Sequence, residues 1–342
     1  MSVSQRTALI TLIFRKGDRL DHKNWRPISL LNADYKLCAR ILAGRLLHVL
    51  QSIIGLDQTC GVRGRFIGDS VVFLRDLVDF TSETNTPAAI LSLDQEKAFD
   101  RVDWAFLFRI LGKFGFGASF ISWVKLLYTN IRSAVLVNGY RSDYFWPSRG
   151  VRQGCPLSPL LYVISIEVLA ANLRSHPDIV CLQLPGSSSF LPTVALYADD
   201  TSVIVNSQSA IQATFSVYEL FERGSGAKLN FSKCEGFLLG PWRFLSRFPS
   251  VNISWSSTKI KILDVFIGHG DLSEDNWRPR LDAVSRCLNS WRSRALSLAE
   301  RALVVNALAL SCVWYVASVI HMPEWVCSEL QRTVFNFIWA GK

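Results

Sequence analysis

Asp94 closes the apolar run Ala88-Ala89-Ile90-Leu91-Ser92-Leu93, and the pair Asp199-Asp200 lies between two further apolar runs, 193–197 and 201–205. The first run, introduced by Pro87, reads as a short buried strand ending in an acid. The other two read as a hairpin with both acids at its tip. A single aspartate in such a place is usually a cap or turn former. Carboxylates gathered at one point can instead hold divalent cations, and magnesium prefers such oxygens. Two ions about 3.5–4 Å apart support in-line displacement at phosphorus, one on the attacking oxygen and one on the leaving group. Neighbouring strand residues point to opposite faces, so a tight turn is needed to bring Asp199 and Asp200 to one place.

The rest of the chain must supply the strands and helices that hold these acids. Residues 8–14 read as a strand, and 34–54 as a helix with Leu37, Ile41, Leu42, Leu46, Leu47 and Leu50 at helical spacing. Residues 69–82 are a second helix, started by Asp69 or Ser70. Helices at 103–114 and 118–128 are separated by Gly115 and Gly117. A strand at 134–137 runs into the turn signal Asn138-Gly139. Pro156 to Leu173 is an apolar helix with proline near its first turn, and 185–192 is a Pro, Gly and Ser-rich loop. After Trp255 one strand, 260–267, gives way to helices from about 276 onward. Mixed elements followed by helices alone predict an α+β body with a helical appendage.

The chain has 342 residues, 49% of them hydrophobic. That is enough for two or three subdomains. Lys and Arg number 37 against 28 acids, a net charge of +9. Such a surplus suits a polyanionic partner. The 8 cysteines are scattered with no C-x-x-C pair, and the 5 histidines are dispersed. That excludes the short ligand spacings of a structural zinc site. Reduced thiols packed as small apolar groups are expected. No signal peptide is visible at the N-terminus. Residues 302–320 carry no charge, but Asn306, Ser311, Ser318 and the helical pattern before them favour a buried helix over a membrane span. A cytoplasmic or nuclear protein is the expectation.

Three ordered segments carry a resemblance to a known family. Ser-Leu-Asp-Gln-Glu-Lys-Ala-Phe-Asp-Arg-Val-Asp (92–103), Arg-Gly-Val-Arg-Gln-Gly-Cys-Pro-Leu-Ser-Pro-Leu-Leu-Tyr (149–162) and Tyr-Ala-Asp-Asp (197–200) closely resemble the palm motifs of reverse transcriptases. Arg-Pro-Ile-Ser-Leu-Leu-Asn (26–32), Gly-Ala-Lys-Leu-Asn-Phe-Ser-Lys-Cys-Glu (226–235) and Ile-Lys-Ile-Leu-Asp-Val-Phe-Ile-Gly (260–268) resemble segments of the non-LTR retrotransposon (LINE) type. The resemblance is strong over 9–268 and looser over the tryptophan-rich helices to 342.

It implies a right-hand polymerase fold, with fingers and palm over 1–268 and a helical thumb over 269–342. It implies an RNA-directed DNA polymerase that joins deoxynucleotides to a primer 3′-hydroxyl on an RNA template, with target DNA as a further partner. Asp94, Asp199 and Asp200 would hold two Mg²⁺ ions, for which Mn²⁺ can substitute. The backbone near Gln95 would face a metal. Phe99 would be the sugar gate that excludes a 2′-hydroxyl. Gln153 and Gly154 would line the nucleotide pocket, Arg15 and Arg26 would meet the triphosphate, and Lys228 or Lys233 would act near the leaving pyrophosphate. The thumb would grip duplex backbone through Arg278, Arg280, Arg286, Arg292, Arg294 and Arg301, with the tryptophans Trp277, Trp291, Trp314, Trp325 and Trp339 packing its core. No membrane and no zinc are implied.

The sequence departs from the family pattern in places. Phe14-Arg15-Lys16-Gly17 lacks the usual proline, Thr59-Cys60-Gly61-Val62 replaces the usual glycine and aromatic, and Asp264 stands where glycine is usual. An acid there is not easily buried unpaired. Neither an upstream fingers extension nor an endonuclease precedes the first strand, so the chain reads as a polymerase-core fragment or decayed copy. The alternative to a working polymerase is a weak or inactive remnant that still binds nucleic acid.

Overall fold

The computed structural model describes residues 1–15, 17–183, 191–245 and 251–339. The chain begins with helix α1 (Val3–Arg6), strands β1 (Thr7–Phe14) and β2 (Trp25–Leu31), and helices α2 (Ala33–Ile53) and α3 (Ile67–Glu83). Next come β3 (Ala88–Leu93), α4 (Ala98–Arg101), α5 (Trp104–Lys113), α6 (Ala118–Tyr128), β4 (Arg132–Val137), β5 (Tyr140–Arg141) and α7 (Ser158–Ser175). Then follow β6 (Val194–Tyr197), β7 (Asp200–Val205), α8 (Gln208–Ser225), β8 (Glu235–Leu239), β9 (Ser254–Ser256), β10 (Lys259–Ile262) and β11 (Val265–Gly268). Helices α9 (Ser273–Trp291), α10 (Leu298–Val304), α11 (Ser311–Ala317) and α12 (Glu324–Ile338) complete the chain.

These elements gather into two compact units. The first takes residues 1–65 and 90–234 with a short piece ending at Ser254; the second takes 66–89, the segment starting at Glu235, and the chain from Trp255 onward.

In the first unit, β1 lies between β2, its antiparallel partner, and β4, which runs parallel to it; β5 pairs with β4 at the edge. A second set of strands has the order β6-β7-β3, and β6 and β7 form the expected hairpin. Local sequence explains the helices. Asn32 caps α2 by accepting from the Asp34 amide, and Asp103 caps α5 by accepting from Phe106. Each cap is worth about 1 kcal/mol. On α2, Tyr35, Ala39, Leu42, Leu46 and Leu50 repeat at helical spacing and are buried, as the core-facing stripe of an amphipathic helix is. α7 is buried around most of its circumference, as expected of a helix apolar on all sides. It packs against β6 and α8. Leu91, Leu107, Leu161, Val163 and Val203 are among the side chains that form the core beneath the strands. Burying each contributes about 1.5–3 kcal/mol.

In the second unit, Trp277 is wholly buried where α9 packs on α11 and α12, and its indole N–H donates to the His321 carbonyl at 3.2 Å. Asn276 ties α9 to β11: its side chain accepts from the Phe266 amide at 2.8 Å and donates to the Phe266 carbonyl at 2.9 Å, as a strand neighbour would.

Three expectations change here. Residues 260–267 are two strands, because Leu263 and Asp264 take left-handed φ values of 49° and 65° and turn the chain back between Ile262 and Val265. Residues 302–320 are not one helix: α10 runs into a wide turn at Val305–Ala309, and the α10 and α11 segments are bent by 45°. No single helix among the described residues is long and apolar enough to cross a membrane. All eight cysteines are free, but only Cys155 and Cys234 are buried. Most of the expected loop at 185–192 lies outside the described residues.

Candidate active site

The hairpin that carries the paired acids is as short as the chain allows. Tyr197 is opposite Asp200, so Ala198 and Asp199 alone form its tip. The turn requires Ala198 at φ 54°. That left-handed conformation costs an L-residue about 1–2 kcal/mol. Asp199 lies at the tip and Asp200 is the first residue of β7.

Asp94 follows β3. Its carbonyl accepts from the Asn230 amide at 2.9 Å, and the Glu96 amide donates to the Lys228 carbonyl at 2.8 Å, so residues 228–230 run beside 94–96. This pairing brings in both lysines. Lys233 Nζ stands 3.9 Å from Asp94 Oδ2, whereas Lys228 faces Glu96 at 3.9 Å.

The three acids lie near enough for their charges to act on one another. Loss of solvation, and then the charge of Asp94, raise the Asp199 carboxyl, while Arg26 and Arg15 oppose that rise. Loss of solvation and the charges of Asp199 and Asp94 push Asp200 up to about 6, against Arg15. Both arginines therefore face the acids. Arg26 is opposite Ile13 in the β1–β2 pair, and the Arg15 amide donates to the Asn24 carbonyl at 2.9 Å.

Hard carboxylate oxygens at a place of unbalanced negative charge suit a divalent cation. Yet among the described residues no three His, Cys, Asp or Glu side chains form a ready-made metal cage. The three acids are thus near one another without forming an assembled ligand set. Loss of solvation first, and then mutual repulsion, raise the Asp199 and Asp200 carboxyls.

Beside the acids, the Phe99 ring stacks on Tyr162 with centroids 4.6 Å apart and planes at 12°. Tyr162 in turn donates to Gln95 Oε1 at 3.0 Å, so the Gln95 side chain is buried and turned inward. Only its backbone is left to face the acids. The Gln153 carbonyl accepts from the Ser29 amide at 2.8 Å, tying that loop to β2. Gly154 lies at φ 102°, and a Cβ there would come within 2.7 Å of the Ser29 carbonyl. Both conformation and space therefore demand glycine.

Sequence reasoning missed Gln58. It is wholly buried, and its side-chain oxygen accepts from the amides of Ala198 at 3.1 Å and Cys60 at 2.9 Å. Nothing local in Asp57-Gln58-Thr59 signals a partner that far along the chain. In the second unit, Arg278 pairs with Glu274 and Glu329, Arg280 with Asp264, and Arg301 donates to the carbonyls of Phe337 and Ile338. Of the five tryptophans named above, Trp277 is core, while Trp314 and Trp339 are exposed.

Residues 14–267 match the family described as reverse transcriptase (RNA-dependent DNA polymerase). The chain belongs to that family. Curated relatives of the TX1, R2 and jockey type come from non-LTR retrotransposons. They include the transposon TX1 uncharacterized 149 kDa protein of Xenopus laevis, 35% identical over all of this chain and 26% of that protein. The Pol polyprotein of the retrotransposable element R2DM of Drosophila melanogaster is 30% identical over 62% of this chain and 19% of its own length. The RNA-directed DNA polymerase from the mobile element jockey, also of Drosophila melanogaster, is 28% identical over 67% of this chain and 25% of its own. The chain thus spans about a quarter or less of these relatives. Among solved structures, telomerase from Candida tropicalis in complex with a telomeric RNA fragment aligns over 100% of this chain and 59% of its own, with a TM-score of 0.55 and 12% identity. Apo telomerase from the same organism, truncated from its C-terminal domain, covers 78% of this chain and 54% of its own at a TM-score of 0.53 and 16% identity. These place the chain in the α+β polymerase fold. Reverse transcriptases as a family use divalent metal ions.

Proposed function

We propose that this chain is the polymerase core of a LINE-type element: an RNA-directed DNA polymerase that adds deoxynucleotides to a primer 3′-hydroxyl with release of pyrophosphate. Residues 1–268 would serve as fingers and palm and 269–342 as thumb. The observation that carries the reading is the mutual charge of Asp94, Asp199 and Asp200 facing Arg15 and Arg26. When bound, two Mg²⁺ ions, or Mn²⁺ in their place, would activate the attacking hydroxyl and hold the leaving pyrophosphate. The three aspartates would hold those ions, aided by the backbone at Gln95. Arg15 and Arg26 would neutralise the triphosphate. Phe99, backed by Tyr162, would close the space a 2′-hydroxyl needs, and the Gln153-Gly154 backbone would lie along the nucleotide. Lys233, beside Asp94, is better placed than Lys228 to meet the pyrophosphate. An RNA template is the partner in keeping with the name of the jockey relative, and a DNA primer follows from the proposed reaction.

The test is extension of oligo(dT) on poly(rA) with dTTP and Mg²⁺ or Mn²⁺. Extension abolished by Asp199→Ala/Asp200→Ala supports the reading. Duplex binding without extension would replace it with a non-catalytic remnant. In the same assay, Phe99→Val should admit ribonucleotides; no gain would remove Phe99 from the gate.

A further inference from the structure

Residues 57–60 lie along the back of the hairpin that carries Asp199, and the structure shows how they are fixed there. The Leu196 amide donates to the Asp57 carbonyl at 2.8 Å, and the Thr59 amide and hydroxyl both donate to the Leu196 carbonyl, at 2.9 and 3.1 Å. The segment therefore runs parallel to β6 as a short extra stave. It is anchored from the other side. Arg174 of α7 donates to both carboxylate oxygens of Asp57 at 2.7 Å and also to Glu167; the side chains of Asp57 and Glu167 are 6% and 4% exposed. Arg65 donates to the carbonyls of Gly55, Gln58 and Ile54.

From this stave Gln58 reaches the hairpin tip. Two backbone amides, those of Ala198 and Cys60, point at one side-chain atom. Two donors on one atom fix that atom as the oxygen. The remaining Nε2 is buried without a partner among the described residues. A buried donor left unpaired costs about 1–3 kcal/mol, so the nitrogen end of the side chain is a cost. What glutamine supplies here is the acceptor. Ala198 stands at φ 54°. It needs that acceptor, because an alanine in this region is held only where its surroundings over-determine it.

We propose that Gln58 is a positioning residue: its carboxamide oxygen holds Ala198 in the left-handed turn that aims Asp199 at the reacting centre. The consequence for catalysis rests on the polymerase reading; the structural claim does not. Gln58→Leu keeps the volume and removes the acceptor. Displacing a catalytic group by about 1 Å can cost about 100-fold in rate, so kcat should fall by about that factor while the KM for primer–template stays within about twofold. The concentration of Mn²⁺ giving half-maximal rate should rise. Ala198→Gly placed on top of Gln58→Leu should restore most of the loss, because glycine adopts the turn unaided.

Amide hydrogen exchange reads the structural claim without activity. Peptides spanning 196–200 should exchange about tenfold faster in Gln58→Leu, with the rest of the first unit unchanged. Should that variant fail to fold, Gln58→Asn withdraws the oxygen by about 1.5 Å and serves the same comparison. Unchanged exchange at the hairpin, or a loss of rate that Ala198→Gly does not recover, overturns the proposal. A wild-type chain that extends no primer defeats the polymerase reading instead, and the exchange experiment still decides the role of Gln58.

Discussion

Asp200 is the side chain at which the site's charge is most easily measured. Its carboxyl is raised to about 6 by loss of solvation and by Asp199 and Asp94. The folded chain therefore binds the proton more tightly than the unfolded chain, whose aspartate has a pKa near about 3.9. Stability then falls as pH rises from about 4 to about 6, and the penalty stays in full above that window. Although its carboxyl loses part of its hydration, the Asp200 residue keeps access to solvent, so screening reduces the full shift to a cost of about 1 kcal/mol. In chelator at about pH 7.5, Asp200→Asn should unfold in urea at higher concentration than wild type, and the two should converge below about pH 4. Mn²⁺ should narrow the gap by stabilising wild type more. Equal midpoints in chelator at that neutral pH would mean the acids do not repel. At this scale the sequence was informative where chemistry is local to a motif: Asp94, Asp199, Asp200 and Phe99 all come to one region. It was silent on Gln58, whose partner Ala198 is joined to it only by folding.

At the scale of elements, the β10–β11 hairpin shows how a residue change can be absorbed. Asp264 occupies a left-handed turn position that favours glycine, and it is solvent-exposed rather than buried. Partial burial raises its carboxyl, but hydrogen bonds from Lys261 and Arg280 outweigh this and hold it below the usual range. The ion pairs measure 2.6 and 2.5 Å, with Lys261 and Asp264 exposed and Arg280 half-buried. Each therefore contributes about 0.5 kcal/mol. Asp264→Gly loses those pairs but relieves the turn, and should change stability by less than about 0.5 kcal/mol. Asp264→Ala loses the pairs and keeps the strain, and should cost about 1–2 kcal/mol by chemical denaturation. Equal effects would show that backbone conformation is not the reason for glycine here. Many helices and strands were legible from apolar pattern, α2 and β3 among them, whereas α8 was not read. The turn at Leu263-Asp264 was not, because neither residue announces a positive φ as glycine would.

For the molecule as a whole, the net charge of +9 overstates what is free to meet nucleic acid. Arg278, Arg280 and Arg301 are engaged with Glu274, Glu329, Asp264 and the carbonyls at the end of α12. Arg286, Arg292 and Arg294 have no ion-pair partner among the described residues. If those three meet phosphates, duplex affinity should fall about 40-fold between about 50 and 200 mM salt, for about three released counter-ions. Arg292→Ala or Arg294→Ala should each flatten the salt slope by about 1, while Arg278→Ala should leave the slope and lower stability, as anisotropy titrations and melting would show. The sequence by itself determined the family, many of the strands and helices but not β2, α8 or β8, and the acids proposed as the site, because motifs, periodicity and turn residues act over a few positions. Only the tertiary structure decided that 260–267 folds back on itself, which arginines are held in internal pairs, and that a buried glutamine accepts from the amide at the tip of the Asp199 hairpin. Those outcomes depend on which distant segments pack together, and short-range pattern carries no record of that.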